Sequence, residues 1–494
     1  MRMSKQICNG ASSGAPASLR AVRRHPACVI LLLLSLLLAV APFRSTTTAQ
    51  GPAQSPATTS AAARNAALIA ATQEVLKETS DVRQLAILRP VQSSTQSRAE
   101  IERAVIKNLD EDTSPADLHA SEVMLKKLGL AQPDFQYRAL MIRLLTEQVA
   151  GYYEPKTQQF HLADWIDIDG QKPIMAHELT HALQDQHFNL RRFEHWPKGD
   201  SDAELAAHAL IEGDATLAMA MYVASNPFRA LAFLKSMGAA GIATEELDKA
   251  PRALRETLLF PYQEGLNWTR TLYKDGGWKD VSDAFTTLPQ STEQVMHPEK
   301  YFAHESPVKV TLPDVTSLLN GRGQRSEVSG QQTKIKQRAL ASSLQPLASW
   351  KKLASDVNGE WGCYLILDQF LKSPAESHRA AAGWAGDRFA LYESAKGDVL
   401  YVSLSTWDTE NDAREFFDAY VKRTELRYPD SNRSDFHKPE NSLFNSLNLK
   451  TNQGLVSVEL RGKRVLIAEG APVSERHDGL LPALWRATED ARLL

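Results

Sequence analysis

At 494 residues, with 43% hydrophobic and 23% charged content, the chain is long enough for two or three domains with cores of ordinary composition. A formal net charge of −3, with no long Lys/Arg run beyond the first residues, provides no basic field for a nucleic-acid backbone, so nucleic acid is not an expected partner. Three cysteines occur, and Cys8 and Cys28 lie in the leader; Cys363 alone remains, which excludes an intrachain disulfide and a cysteine-rich zinc site and leaves any metal to His and carboxylate.

In chain order, Arg20, Arg23, Arg24 and His25 precede an apolar run from Ala27 to Ala41, followed by a small polar segment from Arg44 to Gln50. That order predicts a signal peptide over 1–49, cleaved near Ala49. The run is shorter than the ~20 residues of a membrane span, so the expected product is exported, periplasmic or secreted, with membrane contact only where the segment stays uncleaved. Cys28 opens the run instead of closing it, away from the place of a lipoprotein's modified cysteine. Residues 50–62, rich in Pro, Ser, Thr and Ala, form a disordered tether with too little apolar content to fold.

Amphipathic spacing predicts helices over Asn65–Glu78, Ser97–Asn108, Ser121–Leu128 and Tyr137–Ala150. Gly151–Trp165 changes character: two aromatic-bearing runs flank Glu154-Pro155-Lys156-Thr157, the pattern of a hairpin or strand pair. Two helices follow. The first runs from about Pro173, suited to an opening turn, to Phe188; the second starts at Ser201, with Glu204 completing a capping box, and stays apolar and Ala-rich to about Ala224. A helical region surrounds Phe260-Pro261-Tyr262, and Leu288–Pro307 is turn-rich. Residues 320–343, polar and rich in Gly, Ser and Gln, mark a linker and a domain boundary. Beyond it a helix over Trp361–Leu371 and strands over Arg388–Tyr392, Val399–Ser405, Leu455–Leu460 and Val465–Glu469 predict a separate C-terminal α+β domain over 344–494.

The chemistry concentrates in His177-Glu178-Leu179-Thr180-His181. Residues four apart share a helix face, so both imidazoles can reach one ion while Glu178 stands beside it as general base. Two imidazoles and a carboxylate suit zinc, whose open position lowers the pKa of water to about 7. From 13 His in 494 positions, a chance match to this pattern is roughly one in fifty, the bland alternative being a helix with two packed histidines. Two residues compete for the third ligand position. Glu212 lies in the second helix, which an antiparallel turn would bring to the ion. His187 has the ten-residue offset of HExxHxxGxxH, but the glycine that would turn the chain there is Gln184, and a continuing helix carries His187 past the metal. His208 precedes Glu212 by one turn, as a candidate outer partner or a plain helix-face histidine. Oxyanion donors are sought among Tyr262 and His297, against packing and turn roles. Tyr152, Tyr153 and Phe160 are candidates for an edge strand that takes an extended peptide, or for core. Trp384, Asp387, Arg388 and Trp407 could line a groove, dock the domain or pack.

With the phrases VAGYYEPKTQQF from Val149, AHELTHALQDQHF from Ala176, ALIEGDAT from Ala209, PQSTEQVMHPEKY from Pro289 and AAGWAGDRF from Ala381, the chain resembles gluzincin (HExxH, thermolysin-like) zinc metallopeptidases, in an exported bacterial branch. The resemblance implies a mainly helical α+β fold: a thermolysin-like zincin core within 63–319 and the separate C-terminal domain. It implies one Zn2+ per chain held by His177, His181 and Glu212, Glu178 as base, and a peptide or protein substrate. One departure stands out: gluzincins carry an Asp four residues after the ligand Glu to orient an imidazole, and that position here is Thr216. Asp214 lies about 200° round the helix from Glu212, so it is not a direct substitute. That departure motivates an alternative: a zinc-stabilised binding or envelope-assembly protein that keeps the scaffold without cutting.

Overall fold

The computed structural model describes residues 61–148, 151–165, 168–231, 245–321, 349–433, 445–472 and 477–490. The expected signal peptide, the tether up to residue 60 and linker residues 322–343 lie outside them. Among the described residues no helix is long and apolar enough to cross a membrane.

The chain opens with helix α1 (Ala61–Arg83), which takes in the last two residues of the expected tether. Strand β1 (Gln92–Gln96) follows, then α2 (Arg98–Asp112), α3 (Pro115–Lys127) and α4 (Tyr137–Gln148). Local chemistry sets these starts: Ser97 and Glu100 close a capping box on α2, and Ser114 caps α3 ahead of Pro115. The apolar stripe Ile101, Val105 and Leu109 of α2 packs on Leu140, Met141, Leu144 and Leu145 of α4. The expected hairpin is β2 (Gly151–Glu154) and β3 (Gln159–Ala163), antiparallel, with β1 added parallel to β3. In this β1-β3-β2 sheet β2 is an edge strand; Phe160 lies on the central strand, not on the edge.

Helix α5 (Ile168–Phe188) begins five residues before the predicted Pro173, with Asp169 in its first turn. Helix α6 (Ser201–Ala224) is capped by Asp200, whose side chain accepts from the Ala203 amide; Ser201 is its first helical residue and not its cap. The long helix α7 (Arg252–Ala284) continues through Pro261 and kinks at Gly276–Gly277. Helices α6 and α7 approach so closely that a Cβ on Gly213 would lie 2.2 Å from the Gly265 carbonyl oxygen, and one on Gly265 2.3 Å from that of Ala209. The turn-rich stretch contains α8 (Thr292–Met296) and α9 (Pro298–Phe302).

The C-terminal part is α+β, as expected. Strand β4 (Trp350–Asp356) precedes α10 (Gly359–Leu371) and α11 (Pro374–Ala381); β5 (Trp384–Ser394), β6 (Val399–Trp407), α12 (Glu410–Arg427), β7 (Asn432–Arg433), β8 (Asn445–Thr451), β9 (Gly454–Arg461), β10 (Arg464–Ala471) and α13 (His477–Asp490) complete it. The strands form one antiparallel sheet in the order β4-β5-β6-β10-β9-β8-β7. Alternation puts Phe389, Leu391, Val458 and Ile467 against α10 and α12, and Ala390, Tyr392, Val402 and Leu466 against α13.

The boundary drawn at 320–343 misassigns residues on its N-terminal side. Val315 and Leu319 are buried in the sheet's second core, and the Val308 amide bonds the Ala385 carbonyl. Nor is the C-terminal part separate: Leu128, Leu130 and Ala253 share its first core, and Arg423 donates to the Leu128 carbonyl at 2.6 Å. Trp384 and Trp407 pack as buried cross-strand neighbours. Asp387 accepts from the Asn358 and Gly359 amides at the start of α10 within the same part, and Arg388 alone of the four reaches across, to the Gly199 carbonyl ahead of α6.

Candidate metal centre

Helix α5 presents His177 and His181 on one face, and α6, returning after the 189–200 connection, presents Glu212 to the same point. The Nε2 atoms of His177 and His181 lie 3.1 Å apart; Glu212 Oε2 is 3.1 Å from the first and 3.5 Å from the second. Four-coordinate zinc with ligands at about 2.0–2.1 Å has neighbouring donors roughly 3.3 Å apart, so these three atoms mark one face of such a tetrahedron. All three residues are buried, and they form a group able to hold a metal. The donor set fits zinc.

Close approach of α6 and α7 at Gly213 and Gly265 brings Tyr262, three residues before Gly265, to this group. Its ring stacks against that of His177, with centroids 6.3 Å apart and planes 29° apart. Burial first, then the Glu212 and Glu178 carboxylates, push the Tyr262 hydroxyl well above the ordinary tyrosine range, so it stays protonated. Glu178 Oε2 accepts from the Tyr153 amide at 3.0 Å, which fastens the carboxylate to the buried strand β2.

Within the group, His181 and Glu212 have the electrostatics of an ion pair. Burial opposes the His181 imidazolium, yet the adjacent Glu212 carboxylate raises its pKa to about 9. Burial likewise opposes the Glu212 carboxylate, but His181 and His177 hold its pKa down to about 2.

The outward side of His181 is served in a way the sequence did not suggest. Its Nδ1 meets Gln184 Oε1 at 2.8 Å; the Gln184 amide donates to Asp214 Oδ2 at 2.9 Å and to the Ile211 carbonyl at 3.0 Å; and Arg83 binds Asp214. Gln184, one helix turn beyond His181, thus links that ring to Asp214. The available signal was the three-residue spacing from His181 to Gln184. On the other histidine, His177 Nδ1 is buried with no hydrogen-bond partner, as is Thr216 Oγ1.

The remaining candidates fall elsewhere. His187 is exposed, and its Nε2 bonds the Ala86 carbonyl at 2.7 Å; the helix continues through Gln184 and carries this ring past the metal group. His297 is no neighbour of the group: its Nε2 lies 2.9 Å from Glu360 Oε1 on α10. The short helices on either side of His297 turn its ring towards the sheet domain. His208 is buried, with Nδ1 on the Glu204 carbonyl at 2.8 Å. Tyr152, Tyr153 and Phe160 all have buried side chains.

Residues 346–480 match a domain of unknown function, DUF8575. That match covers the sheet and helices α10 to α12, not the His177, His181 and Glu212 group. No curated protein and no solved structure matches the chain.

Proposed function

We propose that the chain is an exported zinc metallopeptidase of the gluzincin type, built on a thermolysin-like core, which hydrolyses peptide bonds with Glu178 as general base. The observation that carries this reading is the convergence of His177 Nε2, His181 Nε2 and Glu212 Oε2 within 3.5 Å of one another, with Glu178 on the same helix. When bound, zinc supplies the Lewis acid that polarises the scissile carbonyl and acidifies water. Glu178, fixed by the Tyr153 amide, takes the proton and passes it to the leaving amine. Tyr262, held neutral, donates its O–H to the developing oxyanion. The edge of β2 offers main-chain groups to an extended peptide. Residues 1–49 supply the export signal.

A second reading has its own support. His177, Glu178 and Glu212 are each 0% exposed, which suits a metal that staples α5 to α6 without meeting substrate. Hydrolysis of a mixed peptide pool by the zinc-loaded chain, followed by mass spectrometry, separates the two. Cleavage present in wild type and absent in Glu178→Gln supports the peptidase. Zinc retained with no cleavage in either protein establishes the structural role.

A further inference from the structure

The phrase that carries the metal helix continues as Gln184-Asp185-Gln186-His187, and the peptidase chemistry uses none of these residues. All four grip the exit of α1 or its partners. Gln184 donates to Asp214, which Arg83 binds; Asp185 Oδ2 accepts from Arg89 at 2.9 Å and from the Tyr153 hydroxyl at 2.9 Å. Gln186 Oε1 accepts from the Leu88 and Arg89 amides at 2.7 and 3.1 Å, while its Nε2 donates to the Arg89 carbonyl at 3.1 Å. His187 Nε2 lies on the Ala86 carbonyl at 2.7 Å.

Arg83 is the inner end of this clasp. It is fully buried, reaches Ser282 Oγ at 3.2 Å and lies 4.5 Å from the Trp278 ring centroid, so it fixes Asp214 against the far end of α7 as well as α1. From Arg83 the hydrogen-bond polarity runs one way. Its N–H donates to Asp214, the Gln184 amide donates to the other Asp214 oxygen, and Gln184 Oε1 is thereby turned to accept from His181 Nδ1. That leaves Nε2 of His181 as the lone-pair nitrogen facing His177 and Glu212 in the metal-bound tautomer.

We infer that α1 and the residues following it to Arg89 are a permanent part of the metal centre and not a removable prosegment, with Arg83, Asp214 and Gln184 as positioning residues for His181. The inference rests on the metal reading above. A buried arginine with a buried acid on one side and an amide relay on the other converts the docking of α1 into the orientation of a ligand.

The test is zinc affinity of the full chain by chelator competition, together with the visible spectrum of the cobalt(II) form, which reports ligand geometry. Gln184→Leu leaves the Arg83–Asp214 pair intact and removes the acceptor for His181; zinc should bind about 10- to 100-fold more weakly, with an altered cobalt spectrum. Arg83→Met should do the same, and Arg83→Lys, which keeps a charge beside Asp214, should recover part of the loss. Leu68→Ala, a core truncation on α1 away from the relay, should lower the melting temperature with the zinc affinity unchanged. Wild-type affinity in Gln184→Leu, or equal weakening in Leu68→Ala and Arg83→Met, overturns the inference. A wild-type chain that binds no zinc overturns the metal reading itself.

Discussion

Replacing Glu212 with glutamine removes the carboxylate that makes the metal-free centre an ion pair. The pair shifts both partners by the same extent: His181 rises from 6.5 to about 9 and Glu212 falls from 4.5 to about 2. These describe one interaction and count once. At about 1.4 kcal/mol per pH unit, it stabilises the metal-free fold by about 3 kcal/mol, an order of magnitude for a buried pair. Its pH dependence has a definite sign. A raised histidine pKa gives stability that is complete below 6.5 and lost as pH rises through about 9; a lowered carboxyl pKa gives stability present above 4.5 and lost as pH falls through about 2. The contribution is therefore full between pH 4.5 and 6.5. Denaturant unfolding of metal-free wild type and Glu212→Gln at pH 6 and pH 10 isolates it, because other titrations cancel in the difference. Wild type should lose about 3 kcal/mol more than the variant between the two pH values. A pH-independent difference, or a His181 ring signal titrating near 6.5 in wild type, would refute the ion pair.

Zinc added to weakly buffered metal-free protein at pH 7 should release about one proton, since the His181 ring must give one up to bind; a titration with no acid release would show a neutral ring. Glu178→Gln should retain zinc and reduce peptide hydrolysis at least about 100-fold, measured with the best substrate from the pool. Turnover persisting in a clean preparation would remove Glu178 from the base role. Gly359→Ala should cost about 2 kcal/mol or more, because Gly359 has φ +73° and a Cβ there would lie 1.7 Å from Asp202 Oδ1 at the start of α6. Gly362→Ala, with its nearest contact at 3.3 Å inside the same helix, is the control for unfolding measurements, and equal stability of the two variants would contradict the argument.

What the sequence disclosed is what local spacing controls. His177 and His181 four apart define a helix face without reference to the rest of the chain, and the unbroken apolar runs Val399–Val402 and Val465–Ala468 fit strands with two buried faces. Glu212 was legible because an Ala-rich helix after a short connection has few ways to pack except antiparallel to α5. The parts that stayed hidden depend on partners remote in sequence. Arg83 meets Asp214 across 131 residues, and His297 meets Glu360 across 63; the dipeptide His297-Pro298 carries no trace of that partner. Caps were misplaced where neighbours compete: Asp200 and Ser201 are both good N-caps, and Asp200 holds the position. Residues 308–319 look like the tail of the first domain because the polar linker follows them, yet Val315 and Leu319 bury against the sheet.

The most direct test of the account is zinc per chain in purified wild type, Glu212→Ala and His187→Ala. Close to one zinc in wild type and His187→Ala, with none in Glu212→Ala, is the predicted result; no zinc in wild type after reconstitution, or loss in His187→Ala with retention in Glu212→Ala, would contradict it.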